Sequence, residues 1–271
     1  MPAATARISL TGLPGLPEVR AGESLAPLLA KAAADAGMPL ADGDVLVLAQ
    51  KIVSKSEGRL VALSAVTPSP RARELAAIVN KDARLVELVL RESTEVLRAR
   101  KDVLVVSHKL GFVMANAGID FSNVAQPGDV DDRGGGRSDA PADGLALLLP
   151  EDPDASCARL RAELLALTGA TVGVVINDSH GRAWRLGTSG VAIGAAGVPA
   201  LSDLRGRHDR FGRTLRITMV GTADELAAAG SLVMGQADEG LPAVLVRGWR
   251  PNAPAGRAAD LVRPVDQDLF R

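Results

Sequence analysis

An α+β fold with mixed, largely antiparallel sheets and interspersed helices is predicted from three observations. Strand-like and helix-like segments alternate too unevenly for a doubly wound sheet. No internal repeat is present. A chain of 271 residues, 47% hydrophobic and 23% charged, can bury one large core or two smaller ones, and two lobes are the preferred reading. Aromatic residues make up only 2% and Tyr is absent, so the core must be built from Leu, Val and Ala.

Residues 7–10 form the first predicted strand, stopped by Gly12-Leu-Pro-Gly-Leu-Pro17, a stiff loop whose glycines permit close backbone approach. An Ala/Leu-rich helix opens at Glu23 or Ser24, tolerates Pro27 in its first turn and runs to Gly37. Residues 44–53 are apolar, too short and too β-branched for a lone core helix, and read as a buried strand. The polar Ser54-Lys-Ser-Glu-Gly-Arg59 is then a turn, with extended structure resuming over 60–63. Past the stiff Thr67-Pro-Ser-Pro70, apolar residues recur every three or four positions over 71–80 and 82–92, predicting two helices. A hairpin follows from 94–97 and 103–107, leading through Gly111 into 112–115. Residues 126–144, rich in Gly, Asp, Arg and Pro without periodicity, are predicted to be a loop or insertion dividing the lobes. Beyond it come a strand (145–149), a helix (156–167), a strong strand (171–176) and a glycine-rich packing segment (187–197). A strand (213–221), a helix (222–230) with Asp224 and Glu225 in its first turn, and a strand (241–246) complete the series.

The charge balance narrows the partners. A formal net charge of −1 and a pI near 6.3 offer no basic field for a nucleic-acid backbone, and scarce aromatic rings remove the stacking platforms of single-strand binders. Cys157 is the single cysteine, which excludes an internal disulfide and a multi-cysteine metal cage; a reducing, cytoplasmic setting is expected. Its place in the first turn of a helix makes it a small buried residue rather than a nucleophile. No apolar run approaches the ~18–20 residues of a membrane span, and residues 1–7 lack a basic region followed by an apolar one, so neither insertion nor export is expected.

Four segments carry possible chemistry. Lys51 and Lys55 flank Ser54 at the predicted strand end, point charges suited to phosphate oxygens, or simply part of a solvated turn. In Asn116-Ala-Gly-Ile-Asp120-Phe-Ser-Asn123 a turn closed to bulky residues presents a hard anionic ligand and an amide, the plainer alternative being an Asx-turn capped by Ser122. Asn177-Asp-Ser-His-Gly-Arg182 pairs Asp178 with the Ser179 hydroxyl, as a divalent ion requires, with Arg182 and Arg185 facing phosphates; the alternative is a surface hairpin. Met234-Gly-Gln-Ala-Asp-Glu239-Gly-Leu-Pro242 is an acidic turn or the end of a metal shell. The three histidines, His108, His180 and His208, lack metal-ligand spacing, and neither a P-loop nor a Gly-x-Gly-x-x-Gly fingerprint is present.

Taken in order, Leu13-Pro-Gly-Leu16, Gln50-Lys-Ile-Val-Ser-Lys-Ser-Glu-Gly-Arg59, Gly111-Phe-Val-Met-Ala-Asn-Ala-Gly-Ile-Asp-Phe-Ser-Asn123, Leu148-Leu-Pro-Glu-Asp-Pro-Asp154, Asn177-Asp-Ser-His-Gly-Arg182, Ala192-Ile-Gly194, Asp203-Leu-Arg-Gly206 and Leu232-Val-Met-Gly235 resemble the coenzyme F420-0:γ-glutamyl ligases, including the N-terminal domain of the two-domain actinobacterial enzymes. The resemblance implies a GTP-dependent enzyme that joins L-glutamate to coenzyme F420-0, and then to F420-1, through an acyl phosphate, releasing GDP and phosphate. By position it makes Leu13, Pro14, Gly15, Leu16, Gln50, Lys55, Asn123, Met234, Gly235, Ala237, Asp238, Glu239 and Gly240 the nucleotide contacts. It makes Asp120, Asp178 and Ser179, with Gln236 as a further member, the ligands of Mg²⁺ or Mn²⁺, and Lys55, Asp120 and Asp178 the catalytic residues. Potassium stays open as a further ion, and Glu57 and Glu239 as bases for the glutamate amine. A homodimer and a family-specific fold with a cleft between two lobes are also implied. Gln50 stands where some relatives carry Ser, and Ser179 where Thr is usual; each keeps an oxygen in place. A single ligase unit over 1–271, without the nitroreductase-like second domain, is expected. Two readings of other classes use the same residues: a metal-dependent phosphoester hydrolase and a non-catalytic nucleotide-binding protein.

Overall fold

Strict alternation of Val and Leu in one short strand organises the molecule. The computed structural model describes residues 7–124 and 144–268. In chain order the elements are β1 (Ser9–Gly12), α1 (Leu25–Asp35), β2 (Val45–Ala49), α2 (Gln50–Ser56), β3 (Leu60–Ala62), α3 (Pro70–Val79), α4 (Ala83–Arg91), β4 (Ser93–Arg100), β5 (Val103–His108) and β6 (Val113–Ala115). After residue 144 come β7 (Leu145–Leu147), α5 (Pro153–Thr168), β8 (Gly173–Gly181), β9 (Thr188–Ala196), β10 (Leu201–Asp203), β11 (Met219–Gly221), α6 (Thr222–Met234) and β12 (Ala243–Arg247).

The central sheet runs β1-β12-β2-β8-β9, and within it only the β2–β8 pair is parallel. Successive side chains of a strand point to opposite faces. In β2, Leu46 and Leu48 therefore join α1 and α5 in one core, while Val45 and Val47 join α6 in another. A third core packs α3 and α4 against β5 and β7. This part also holds the β4-β5-β6 sheet and the β3-β7 pair. The α+β expectation therefore stands.

Glycine lets α6 lie close on the sheet. A Cβ at Gly190 in β9 would come within 2.6 Å of the Ala227 carbonyl oxygen, and one at Gly230 within 2.7 Å of Val47. The glycine-rich 187–197 segment thus packs tightly, as expected, and does so as the strand Thr188–Ala196.

Three expectations need correction. The strand read over 44–53 ends at Ala49, and residues 50–56 form a helix where a strand end and a turn were expected. Its β-branched Ile52 and Val53 are accommodated because both are buried in the α1/α5 core, where packing outweighs their modest helix penalty. The strong strand does not stop at Ile176 but continues to Gly181. The strand read over 213–221 is confined to Met219–Gly221, because residues 205–213 carry exposed arginines and turn back on themselves through bonds such as Gly212 N–H to the Asp209 carbonyl. Of the predicted 126–144 loop, residues 126–143 lie outside the described residues.

Candidate active site

Once residues 50–56 are helical, the four-residue spacing of Lys51 and Lys55 puts both ammonium groups on one face. That face meets the loop holding Asp120. Lys51 Nζ lies 2.7 Å from Asp120 Oδ2 and donates to the Ser122 carbonyl (3.0 Å) and hydroxyl (2.5 Å). Lys55 Nζ, in a side chain only 8% exposed, donates to the Asn123 carbonyl at 2.7 Å and pairs with Glu18 at 2.5 Å. Gln50 lies inward and accepts a 2.8 Å bond from the Ser54 hydroxyl.

The loop reaches this position through strained backbone. Asn116, Ala117 and Gly118 take φ of 51°, 53° and 67° in succession, a left-handed run that costs an alanine roughly 1–2 kcal/mol. Asp120 is then fixed by an isolated bridge to Leu147, with both backbone bonds made. Its second oxygen accepts the Ser122 N–H at 2.8 Å. Burial pushes the Asp120 carboxyl up, but the Lys51 ammonium and the Ser122 groups push harder, and its pKa ends below the ordinary value.

Asp178 is held differently. It sits within β8, paired with Val191 of β9, and its Oδ2 lies 3.1 Å from His180 Nε2. The neighbouring Ser179 hydroxyl donates to Gln236 Oε1 at 2.6 Å, tying the strand to the loop after α6. That loop needs its first glycine: Gly235 has φ +71°, and a Cβ there would meet the Glu239 carboxyl at 2.0 Å. Glu239 is turned back to accept the Ala237 N–H at 2.8 Å. The Asn123 amide donates to the Ala237 carbonyl at 3.3 Å, so the Asp120 loop and the 234–240 loop touch.

Both aspartates open onto one cavity of about 1100 Å³, bordered also by Leu16, Gln50, Lys51, Lys55, Asn123, Asn177, Ser179, His180 and the whole run Met234 to Gly240. Asp120 and Asp178, far apart along the chain, thus line a common cavity. Leu13 is buried in the α1/α5 core, and Pro14 and Gly15 are exposed just ahead of Leu16, so only the last of these four borders the cavity. Arg182 and Arg185 lie at the exposed β8–β9 tip, outside its lining. Glu57 is also elsewhere: it pairs with Arg159 at 2.5 Å beside a smaller pocket of about 250 Å³. The sequence gives no sign of Glu18 as the partner of Lys55; it marks Lys51 but not the contact of Lys51 with Asp120, a long-range pairing with no local signal.

Behind the Asp178 side lies a buried polar group. His108 is 2% exposed; its Nδ1 accepts the Leu110 N–H at 3.0 Å, while its Nε2 has no hydrogen-bond partner and lies 3.9 Å from Glu92. Burial lowers its pKa to about 4, against the opposing pull of Glu92. Cys157 is buried as expected, and burial pushes its thiol well up, which removes it as a nucleophile.

Among the described residues no three His, Cys, Asp or Glu side chains are grouped to hold an ion. Asp120, Asp178, Ser179 and Gln236 all border the cavity and as ligands offer it only oxygen atoms, the ligand chemistry that suits hard divalent ions such as Mg²⁺ and Mn²⁺. Among the described residues no helix is long and apolar enough to cross a membrane.

Residues 15–248 match the sequence model of a family described as F420-0:Gamma-glutamyl ligase. The chain is 45% identical over 266 residues to a coenzyme F420:L-glutamate ligase of Methanothermobacter thermautotrophicus, covering 97% of this chain and 99% of the relative. A protein of the same name from Methanopyrus kandleri is 45% identical over 258 residues, 94% of each chain. Another from Halobacterium salinarum is 42% identical over 263 residues, 95% of this chain and 93% of the relative.

Proposed function

The chain belongs to the F420-0:γ-glutamyl ligase family, and from that membership we propose that it is a GTP-dependent ligase adding L-glutamate to coenzyme F420-0, and then to F420-1, with release of GDP and phosphate. The observation that carries this reading is the single cavity shared by Asp120, Asp178, Lys55, Asn123 and the 234–240 loop.

A carboxylate does not accept an amine in water, because its oxygen is a poor leaving group and its charge repels the nucleophile. In the proposed reaction an acceptor carboxylate oxygen attacks the γ-phosphorus of GTP and GDP leaves. The glutamate amine then attacks the acyl carbon, a proton leaves the nitrogen, and phosphate departs. Lys55, already desolvated and held by Glu18 and the Asn123 carbonyl, offsets charge developing on the transferred phosphoryl group. Gln50, Asn123, Leu16 at the end of the 13–16 turn and the loop from Met234 to Gly240 would border the nucleotide. Asp120 and Asp178, with Ser179 and Gln236, would hold Mg²⁺ or Mn²⁺, whose charge neutralises phosphate oxygens when bound. No side chain acts as a covalent nucleophile. The unit is proposed to work as a homodimer, which light scattering tests.

Mass spectrometry of the deazaflavin after incubation with GTP, Mn²⁺ and glutamate tests the reaction: a ladder in glutamyl increments is expected. Phosphate release indifferent to acceptor would point to a hydrolase instead, and GTP protection in thermal melts without turnover to a non-catalytic binder.

A further inference from the structure

Lys51 has no assigned part in the reaction, yet it makes the most complete set of contacts of any charged group on the cavity wall. An ammonium has three N–H donors. All three acceptors of Lys51 come from one turn of chain: Asp120 Oδ2 at 2.7 Å, the Ser122 hydroxyl at 2.5 Å and the Ser122 carbonyl at 3.0 Å. The other Asp120 oxygen is taken by the Ser122 N–H at 2.8 Å. Lys51 thus acts as an internal counter-ion for the carboxylate that the ligase reading makes a metal ligand.

A divalent ion of this kind binds a carboxylate oxygen at about 2.0–2.2 Å. An ammonium 2.7 Å from that same oxygen would then face a doubly charged neighbour across a few ångströms, a strong like-charge contact in a partly desolvated place. The two cations therefore compete for the charge of Asp120. Lys51 can yield, because its side chain is 23% exposed, carries a flexible four-carbon stem and borders the open cavity.

We propose that Lys51 is a displaceable counter-ion: it holds Asp120 in register until a divalent ion arrives, opposes entry of that ion alone, and on release turns its ammonium to the phosphate oxygens in the cavity. Ion and nucleotide are thereby coupled, since the freed charge gains a partner only when a polyphosphate is present. Lys51 is a positioning residue in the first state and a phosphate contact in the second.

The proposal rests on the assignment of Asp120 as a metal ligand, and its test needs neither acceptor nor turnover. Mn²⁺ alone is titrated into the full chain and the free ion is counted by electron paramagnetic resonance. Lys51→Met should bind Mn²⁺ roughly tenfold more tightly than the unaltered protein, because the competing charge has gone. Lys51→Gln, which keeps a donor for Ser122, should show the same gain. Lys51→Arg should show none, and Asp120→Asn added to Lys51→Met should abolish it. A merely structural lysine would leave Mn²⁺ affinity unchanged or lower it on removal. Equal or weaker binding by both uncharged variants, or no Mn²⁺ binding by any form, overturns the proposal. A missing glutamyl ladder would strike the ligase reading and leave this comparison standing.

Discussion

Asp120 and Asp178 face the same cavity, but they are held there by opposite means. Asp178 rides on a nine-residue strand whose ladder to β9 fixes its direction, and its carboxylate, though largely buried, has His180 as its one side-chain hydrogen-bond partner among the described residues. Asp120 sits on a short irregular loop with left-handed backbone behind it, and side chains do the fixing: Lys51 on the carboxylate, Lys55 on the Asn123 carbonyl, Asn123 on the Ala237 carbonyl. A regular element positions a ligand through backbone bonds that no substitution removes. A loop must spend charge and side chains to do the same, so its ligand is already neutralised before any substrate arrives.

Catalysis is where the two aspartates should be most alike. Asp120→Asn and Asp178→Asn should each lower acceptor-dependent GDP release by at least ~10³-fold, with unchanged circular dichroism. Normal turnover by either variant would break the pairing of the two carboxylates.

Acid should expose the Asp178 side. His108 N–H bonds the Phe112 carbonyl, and the Phe112 ring packs edge-on against His180 at 6.2 Å. The groups facing His108 are Glu92, Lys109, Arg59 and His180: burial is the largest cause lowering its pKa from 6.5 to about 4, Lys109, Arg59 and His180 lower it further, and Glu92 alone opposes them. The folded state resists protonation that the unfolded chain accepts, so this contribution is complete above about pH 6.5 and is lost as pH falls towards 4. At roughly 1.4 kcal/mol per pH unit the loss approaches about 3 kcal/mol. Urea melts across that window should follow this slope, and His108→Gln should flatten it. Asp120, whose pKa is lowered, adds its own loss only at more acidic pH.

Folding stability should separate the two ligands. Asp120→Ala leaves the Lys51 ammonium and the Ser122 N–H without their carboxylate, at a cost of about 1–2 kcal/mol. Asp178→Ala removes one contact from a strand that stays fully paired and should cost less than about 1 kcal/mol. Equal losses in parallel urea melts would mean that the strand, too, depends on its side chain.

The same contrast explains what the sequence disclosed. Helices over 71–80 and 82–92 were legible because their apolar spacing is unambiguous and Ser69 and Asp82 cap them. The Asn116-Ala-Gly turn was legible because glycine and asparagine tolerate the left-handed region it adopts. Helix α2 was not: Ile52 and Val53 continue the apolar run of β2, and nothing local says that the chain turns after Ala49. That one miss hid the common face of Lys51 and Lys55, and with it the clamp on Asp120. The strand was expected to stop at Ile176, with residues 177–182 a strand end or a surface hairpin, whereas pairing of residues 177–181 with β9 extends β8 and carries its polar side chains to the cavity. Tertiary pairing overrode local composition at both ends of the site.

The smallest effect is expected at the seam joining the two halves. Ser179 on the strand donates to Gln236 on the loop at 2.6 Å, and Gln236 Nε2 in turn donates to the Ser231 hydroxyl at 3.1 Å. Removing the hydroxyl in Ser179→Ala deletes one neutral hydrogen bond in an accessible place, worth about 0.5–1.5 kcal/mol. If Ser179 serves only as a latch for the loop, that loss should raise the KM for GTP a few-fold and leave kcat unchanged. If its oxygen also ligates the divalent ion, the half-saturating Mn²⁺ concentration should rise as well, and Ser179→Thr, which keeps the oxygen, should restore it. Loss of Mn²⁺ response without rescue by Thr would assign the defect to the strand itself and remove Ser179 from the donor set.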